Sequence, residues 1–138
     1  MKNPADTFFR KPAKTVDRIN EVKNEIDYLY WLMMPTGIDY ARDKIMTTPE
    51  NVIPEYASHK ADLEQELKEL QKKYLNELQA VKIVICHLRD ENEFGASILS
   101  EYYLYQKSIT RIAENHHYSR EGIYKARNKA LNQAMKWI

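Results

Sequence analysis

The sequence predicts an all-α protein: an N-terminal antiparallel helical hairpin, or coiled coil, followed by a C-terminal module of three short helices that includes a helix-turn-helix. Three observations carry this reading. Glycine (3) and proline (5) supply only 8 of 138 residues, about 6% against roughly 12% in average usage, too few for the tight turns of a β-sandwich or barrel. Leu, Ile, Lys, Glu and Ala are abundant, and these residues lose little on entering a helix. Apolar residues recur at steps of three and four along two long stretches, the period of a helix with one buried face.

Residues 1–14 show no apolar period and are expected to form a flexible arm. Thr15 stands where an N-cap belongs, with Asp17 in the first turn. Ile19, Val22, Ile26, Leu29 and Met33 follow at steps of three, four, three and four, a coiled-coil seam on a helix of 15–34. Pro35 and Gly37 end it. Residues 35–54 hold Pro35, Pro49, Pro54 and Thr47–Thr48 and read as a long loop, with a helical turn over Ile38–Met46. A second helix begins at Pro54, since proline fits a first turn. It carries Leu63, Leu67, Leu70, Tyr74, Leu78, Val81, Ile85 and Leu88 and runs to Arg89, about 35 residues and roughly 50 Å at 1.5 Å per residue. Glu64–Lys68 and Glu69–Lys73 pair at i, i+4 on its outer face.

An antiparallel hairpin over 15–90 is the simplest arrangement, and it suits oligomerisation or partner binding. The second helix outruns the first, so its far end needs another partner: a second copy of the chain or the C-terminal module. A strict heptad places Glu77 in the seam, so the packing is expected to slip there. The cluster Tyr28, Tyr30, Trp31, Leu32, Met33 and Met34 is expected to pack against the second helix; the competing reading is a contact with another protein. Asp90-Glu91-Asn92-Glu93 breaks the apolar pattern and marks a joint. Beyond it, residues 91–138 divide into helical segments 94–106, 108–115 and 119–136.

Several functions are excluded or disfavoured. Gly37, Gly95 and Gly122 are too far apart to cradle a phosphate. The single Cys86 cannot form an internal disulfide, so a reducing, cytoplasmic setting is expected. No apolar run reaches the roughly 18 residues of a membrane span, and MKNPADTFFRKPAK lacks the apolar core of a signal peptide. Cys86-His87 and His116-His117 match no zinc spacing, and adjacent Cys86 and His87 diverge by about 100° on a helix, so no metal, cofactor or catalytic residue is expected and the chain reads as no enzyme. The net charge of +1 conceals a division. From Lys107 onward there are seven basic and two acidic residues, a net +5, whereas the first 106 residues carry 14 basic and 18 acidic, a net −4. A basic segment on a near-neutral chain points to a polyanion.

Residues 108–131 read SITRIAENHHYSREGIYKARNKAL. Ser108 can cap one short helix and Ser119 the next, with Glu121 in the latter's first turn. His116-His117-Tyr118 is the tight connection. Ala113 is small where the helices cross; Ile112, Tyr118, Ile123 and Ala126 form the joint; and the preceding segment offers Ile98, Leu99, Tyr102 and Tyr103 or Tyr105 to cover it. Ile123, Ala126, Ala130 and Leu131 face inward on the last helix. Two short helices joined in this way form a helix-turn-helix. Its exposed residues are Arg120, Glu121, Tyr124, Lys125, Arg127, Asn128 and Lys129. Such a helix can enter a major groove. There Lys or Arg donates to guanine, Asn pairs with adenine and Glu accepts from cytosine, while Lys129, Lys107 and Arg111 suit phosphates. In EYYLYQ, Tyr102, Tyr103 and Tyr105 are expected to be largely core, with one or two rings exposed.

This stretch resembles region 4 of sigma factors, the module that reads the promoter −35 element, through Ile109, Ile112, Ala113, Glu114, Ser119, Arg120, Glu121, Ile123, Ala126, Ala130 and Leu131. The whole-chain layout resembles the RinA/ArpU-type regulators of Gram-positive phages and prophages, thought to activate late genes. The resemblance implies base reading at Glu121, Tyr124 and Lys125, with Arg120 near phosphate. Asn128 joins the base-reading face, and Lys107, Arg111, Ser119, Arg127 and Lys129 join the phosphate contacts. The turn departs from the family pattern: His117 replaces a glycine of positive φ, His116 replaces a leucine, and Gly122 weakens the first turn of the last helix by roughly 1 kcal/mol relative to Ala. The expected function is a sequence-specific, double-stranded DNA-binding transcriptional activator, homo-oligomeric through its hairpin, with RNA polymerase as a further partner of its acidic first two-thirds. The alternative is a coiled-coil adaptor or DNA-packaging component that uses the same helix-turn-helix.

Overall fold

The computed structural model describes residues 3–34 and 54–138. These form five helices: α1 (Pro4–Met33), α2 (Pro54–Glu91), α3 (Glu93–Leu99), α4 (Ile109–His116) and α5 (Arg120–Ala134). α1 and α2 are a long antiparallel pair, and three short helices follow. A π-helical turn, Ser100–Leu104, continues α3, and a 3-10 turn, Met135–Trp137, follows α5. The loop expected over 35–54, with its helical turn at Ile38–Met46, lies outside the described residues as far as residue 53. Pro54 opens α2 as proline should.

The chain divides into two compact units. One comprises Thr15–Lys73; the other joins the residues up to Lys14 to Tyr74–Ile138. The two divisions, at 14/15 and at 73/74, fall within α1 and α2.

The expected flexible arm is a helix. α1 begins at Pro4, so Thr15 is buried inside it and is no N-cap. The physical reason is a seam that starts earlier than Ile19. Ala5, Phe9 and Pro12 are buried at steps of four and three, continuing the period of Ile19, Val22 and Leu29. Pro12 has no backbone N–H and interrupts the helical ladder, but burial of the adjoining aromatic rings offsets that loss. Asn3 caps the start, its Oδ1 accepting from the Ala5 N–H at 2.8 Å.

In the Thr15–Lys73 unit, Val22, Leu29 and Leu63 are buried, with Ile26, Leu32, Tyr56, Leu67 and Leu70 packed around them. Arg18 lies 2.7 Å from Glu66 on the facing helix and 3.1 Å from Glu21 on its own. The aromatic cluster at the end of α1 is mostly outside this core. Leu29 is buried and Leu32 half-buried, but Tyr28, Tyr30, Trp31 and Met34 are exposed. The expectation that the cluster packs against α2 therefore holds for Leu32 and fails for the three rings and Met34, which stay exposed.

The other unit has two apolar clusters. In the first, Ala5 and Phe9 of α1 meet Val81, Val84, Ile85 and Leu88 of α2, Ala96 and Leu99 of α3, Tyr103, and Ala130, Leu131 and Ala134 of α5. The far end of α2 is thus covered by the C-terminal helices and by the start of α1. The second cluster holds α4 and α5 together through Ile98, Ile109, Ile112, Ala113 and Ile123. α3 and α5 approach tightly at Gly95, where an added Cβ would stand 2.8 Å from the Ala130 Cβ and 2.5 Å from Asn92 Nδ2. Gly95→Ala is expected to destabilise this unit by about 1–3 kcal/mol through overpacking, read as a lower urea midpoint with unchanged slope; an unchanged midpoint would show that the contact relaxes freely.

Candidate nucleic-acid interface

The site is built on α4, α5 and the three residues between them. Ser108 Oγ accepts from the Arg111 N–H at 3.2 Å and Ser119 Oγ from the Gly122 N–H at 3.0 Å, so both expected N-caps form. His117 adopts the left-handed region, φ 59 and ψ 41. The chain then reverses with Tyr118 N–H donating to Ala113 O at 2.9 Å and His117 N–H to Glu114 O at 3.3 Å, the paired bonds that close a helix C-terminus. Histidine occupies this region at a cost that glycine avoids.

Ile112 and Ile123 are fully buried at the joint and Ala126 packs beside them. Tyr118 does not join them. It is exposed, its ring 4.9 Å from that of Phe94, because the reversal at His117 turns it outward. Tyr103 is buried, Tyr102 half-buried and Tyr105 exposed, in line with the core reading of the tyrosine run.

α5 buries Ile123, Ala130, Leu131 and Ala134. Its outward side carries Arg120, Glu121, Tyr124, Lys125, Asn128 and Lys129, all exposed. Glu121, Tyr124, Lys125 and Asn128 follow one another at i, i+3, i+4 and i+7, so they share one face about 10 Å long. Lys125 Nζ stands 3.4 Å from Glu121 Oε1 with both side chains more than three-quarters exposed, a pairing weak enough to yield to another partner. Ser119 and Arg111 are also exposed.

Two of the expected phosphate contacts are placed otherwise. Arg127 is half-buried, its guanidinium 4.9 Å from the centre of the Tyr102 ring and 5.3 Å from that of Tyr124, with a buried Nε that meets no acceptor. It faces the start of α1, where its charge helps to lower the Asp6 pKa. Lys107 is half-buried and 3.1 Å from Glu101. The helical period shows which side of α5 Arg127 lies on, and the basic charge of Lys107 marks it for an anion, but neither shows which aromatic or acidic neighbour the fold brings there.

Residues missed by sequence reasoning brace this face. Asn92 Oδ1 accepts from the Gly95 N–H at 3.0 Å while its Nδ2 donates to Gln133 of α5 at 2.8 Å. Asp6 accepts from the Tyr103 hydroxyl and, at 3.0 Å, from Arg10, which also reaches the Tyr102 hydroxyl at 3.3 Å. Burial opposes the Asp6 charge, but the bonds from Tyr103 and Arg10 outweigh it and hold the carboxyl below the usual range; burial and the same carboxylate push the Tyr103 phenol up. The Asn-x-x-Gly spacing at Asn92 was a visible signal, since asparagine is among the strongest N-caps.

Glu101, in the π-helical turn, accepts from His116 Nε2 at 2.6 Å as well as from Lys107. A carboxylate only accepts, so this histidine nitrogen carries the proton. Burial again opposes the charge, yet the His116 and Lys107 bonds prevail and the Glu101 pKa is lowered. A depressed folded-state pKa adds stability above the unfolded value, 4.5, and that stability is lost as pH falls through the folded value. Glu101→Gln should therefore lower the unfolding midpoint at neutral pH and flatten its fall below about pH 4.5. Parallel acid limbs for variant and wild type would contradict the assignment.

Among the described residues no helix is long and apolar enough to cross a membrane, and no three His, Cys, Asp or Glu side chains gather as metal ligands. Cys86 is exposed and the His87 ring stacks on Trp137 at 5.7 Å. No protein-family model, curated protein or solved structure matches the chain.

Proposed function

We propose that the chain is a sequence-specific, double-stranded DNA-binding transcriptional regulator, an activator of phage or prophage late genes of the RinA/ArpU type, whose α4–α5 pair works as a sigma-region-4-like helix-turn-helix. The observation that carries this reading is the face formed by Glu121, Tyr124, Lys125 and Asn128, presented on a helix whose opposite side is anchored in the core. A helix about 10 Å across fits the roughly 12 Å major groove. Lys125 then donates to guanine, Asn128 pairs with adenine and Glu121 accepts from cytosine. Arg111, Ser119, Arg120 and Lys129 lie beside this face for the phosphates, which set register and affinity. Arg127 supports the helix from behind instead, and Lys107 is held by Glu101. The protein acts without a cofactor, as a homo-oligomer, with RNA polymerase as its partner on the acidic part of the chain.

Fluorescence anisotropy with labelled duplexes tests this. Affinity should fall steeply with salt, as counterion release requires. Arg111→Ala should weaken a preferred duplex and an unrelated one by the same factor and make the salt slope shallower by about one. Salt-independent binding, or none, would contradict the proposal.

A further inference from the structure

We infer that two copies of this chain associate by seating the Tyr28–Trp31 ridge of one in the cleft between Lys82 and Arg89 of the other. The inference specifies the surfaces of the proposed homo-oligomer and is independent of the duplex reading. Each face is described within its own unit. The ridge lies in the Thr15–Lys73 unit. Tyr28 is 60% and Trp31 66% exposed, and their rings are stacked 6.2 Å apart at 20°. Two large aromatic rings held together in water are the kind of anchor that dominates protein interfaces. Asp27 stands beside them, exposed and with no ion-pair partner among the described residues, whereas Glu25 is 3.7 Å from Arg18.

The complementary face lies in the other unit. A cleft of about 210 Å³ opens between α2 and the π-helical turn, with Ile85, Cys86, Leu104 and Tyr105 as its apolar lining and Lys82 and Arg89 at its ends. The two cations are seven residues apart on one face of α2, about 10 Å. No carboxylate lines the cleft, and neither cation has an ion-pair partner among the described residues. Tyr105 is 70% exposed, so the cleft also presents an unpartnered ring. An occupant needs an aromatic side chain flanked by a carboxylate, which is what Asp27, Tyr28 and Trp31 supply. Their character complements the cleft: an indole for Leu104 and Tyr105, Asp27 for one cation, and an aromatic face for the other cation to lie over.

Sedimentation equilibrium of the full chain over a wide concentration range tests the pairing. Wild type should self-associate. Trp31→Ser should weaken association about 30-fold, as loss of an interface anchor does, and Arg89→Glu should weaken it too. Asp27→Arg with Arg89→Glu should recover part of that loss. Because these positions are exposed, far-ultraviolet melting curves should coincide at concentrations where the wild type is monomeric. In a Tyr28→Cys variant, mild oxidation should join the introduced thiol to native Cys86 as a disulfide-linked dimer that Cys86→Ser abolishes. A chain that stays monomeric, or an oligomer indifferent to both Trp31→Ser and Arg89→Glu, would overturn the inference whatever the protein does with DNA.

Discussion

Replacing Phe9 with alanine is expected to destabilise the unit that carries α5 by about 3–5 kcal/mol, the cost of removing a buried aromatic ring. Phe9 is completely buried. Its ring stacks on Tyr103 at 5.4 Å and meets the Phe8 edge at the same distance. It shares a cluster with Leu88, Leu99 and Leu131, so the cavity left behind would border α2, α3 and α5 together. Tyr103, which stacks on Phe9, also donates to Asp6, so the ring supports a half-buried hydrogen bond as well as apolar surface. Chemical denaturation followed by circular dichroism measures the loss. A surface arm at residues 1–14 would instead give a change within about 0.5 kcal/mol, the usual range for exposed substitutions. A fragment starting at residue 91 lacks both Phe9 and the α2 side of the cluster, and it is expected to be unfolded or molten.

Removing the outward face of α5 should abolish discrimination between sequences while leaving the fold intact. Lys125→Ala alone should cost about 1–3 kcal/mol on a preferred duplex and relax one base position. Tyr124→Ala, Lys125→Ala and Asn128→Ala together should reduce the ratio of specific to non-specific affinity by about 10³, because non-specific binding depends on the phosphate contacts that remain. Lys125 and Asn128 touch nothing in the core, so truncation leaves no cavity there. Tyr124 lies against Arg127, so the triple variant calls for a melting curve beside the binding curve. Competition anisotropy against an unrelated duplex gives the ratio directly. An unchanged ratio in a folded triple variant would remove base reading from this face.

Much of this architecture is legible in the residues. The period of α2 from Leu63 to Leu88 specifies its buried side. Ser108 and Ser119 mark the starts of α4 and α5 because a hydroxyl before a helical period satisfies an otherwise unpaired N–H. His117 takes the left-handed conformation of the glycine that the family resemblance implies at this position. Other features depend on contacts between residues remote in sequence. Pro4 and Pro12 obscured the start of α1, although Ala5, Phe9 and Pro12 continue the seam. Local rules reject an internal proline, and only the cluster around Phe9 compensates for it. Arg127 has the same helical position as a phosphate-binding residue, but Tyr102 and Asp6, 25 and 121 positions earlier in the chain, draw it inward. The Asn92 cap on Gly95 has a local signature, but the need for glycine there appears only where Ala130 crosses it.

The most direct test of the central claim, that the exposed face of α5 reads duplex DNA, is selection of the full chain against a pool of random duplexes, followed by sequencing of what it retains. The account predicts one enriched motif for the wild type, and loss of that enrichment when Tyr124, Lys125 and Asn128 are replaced together in a protein of unchanged thermal stability. Retention of duplexes without any sequence preference, or the same motif recovered by the triple variant, would contradict it.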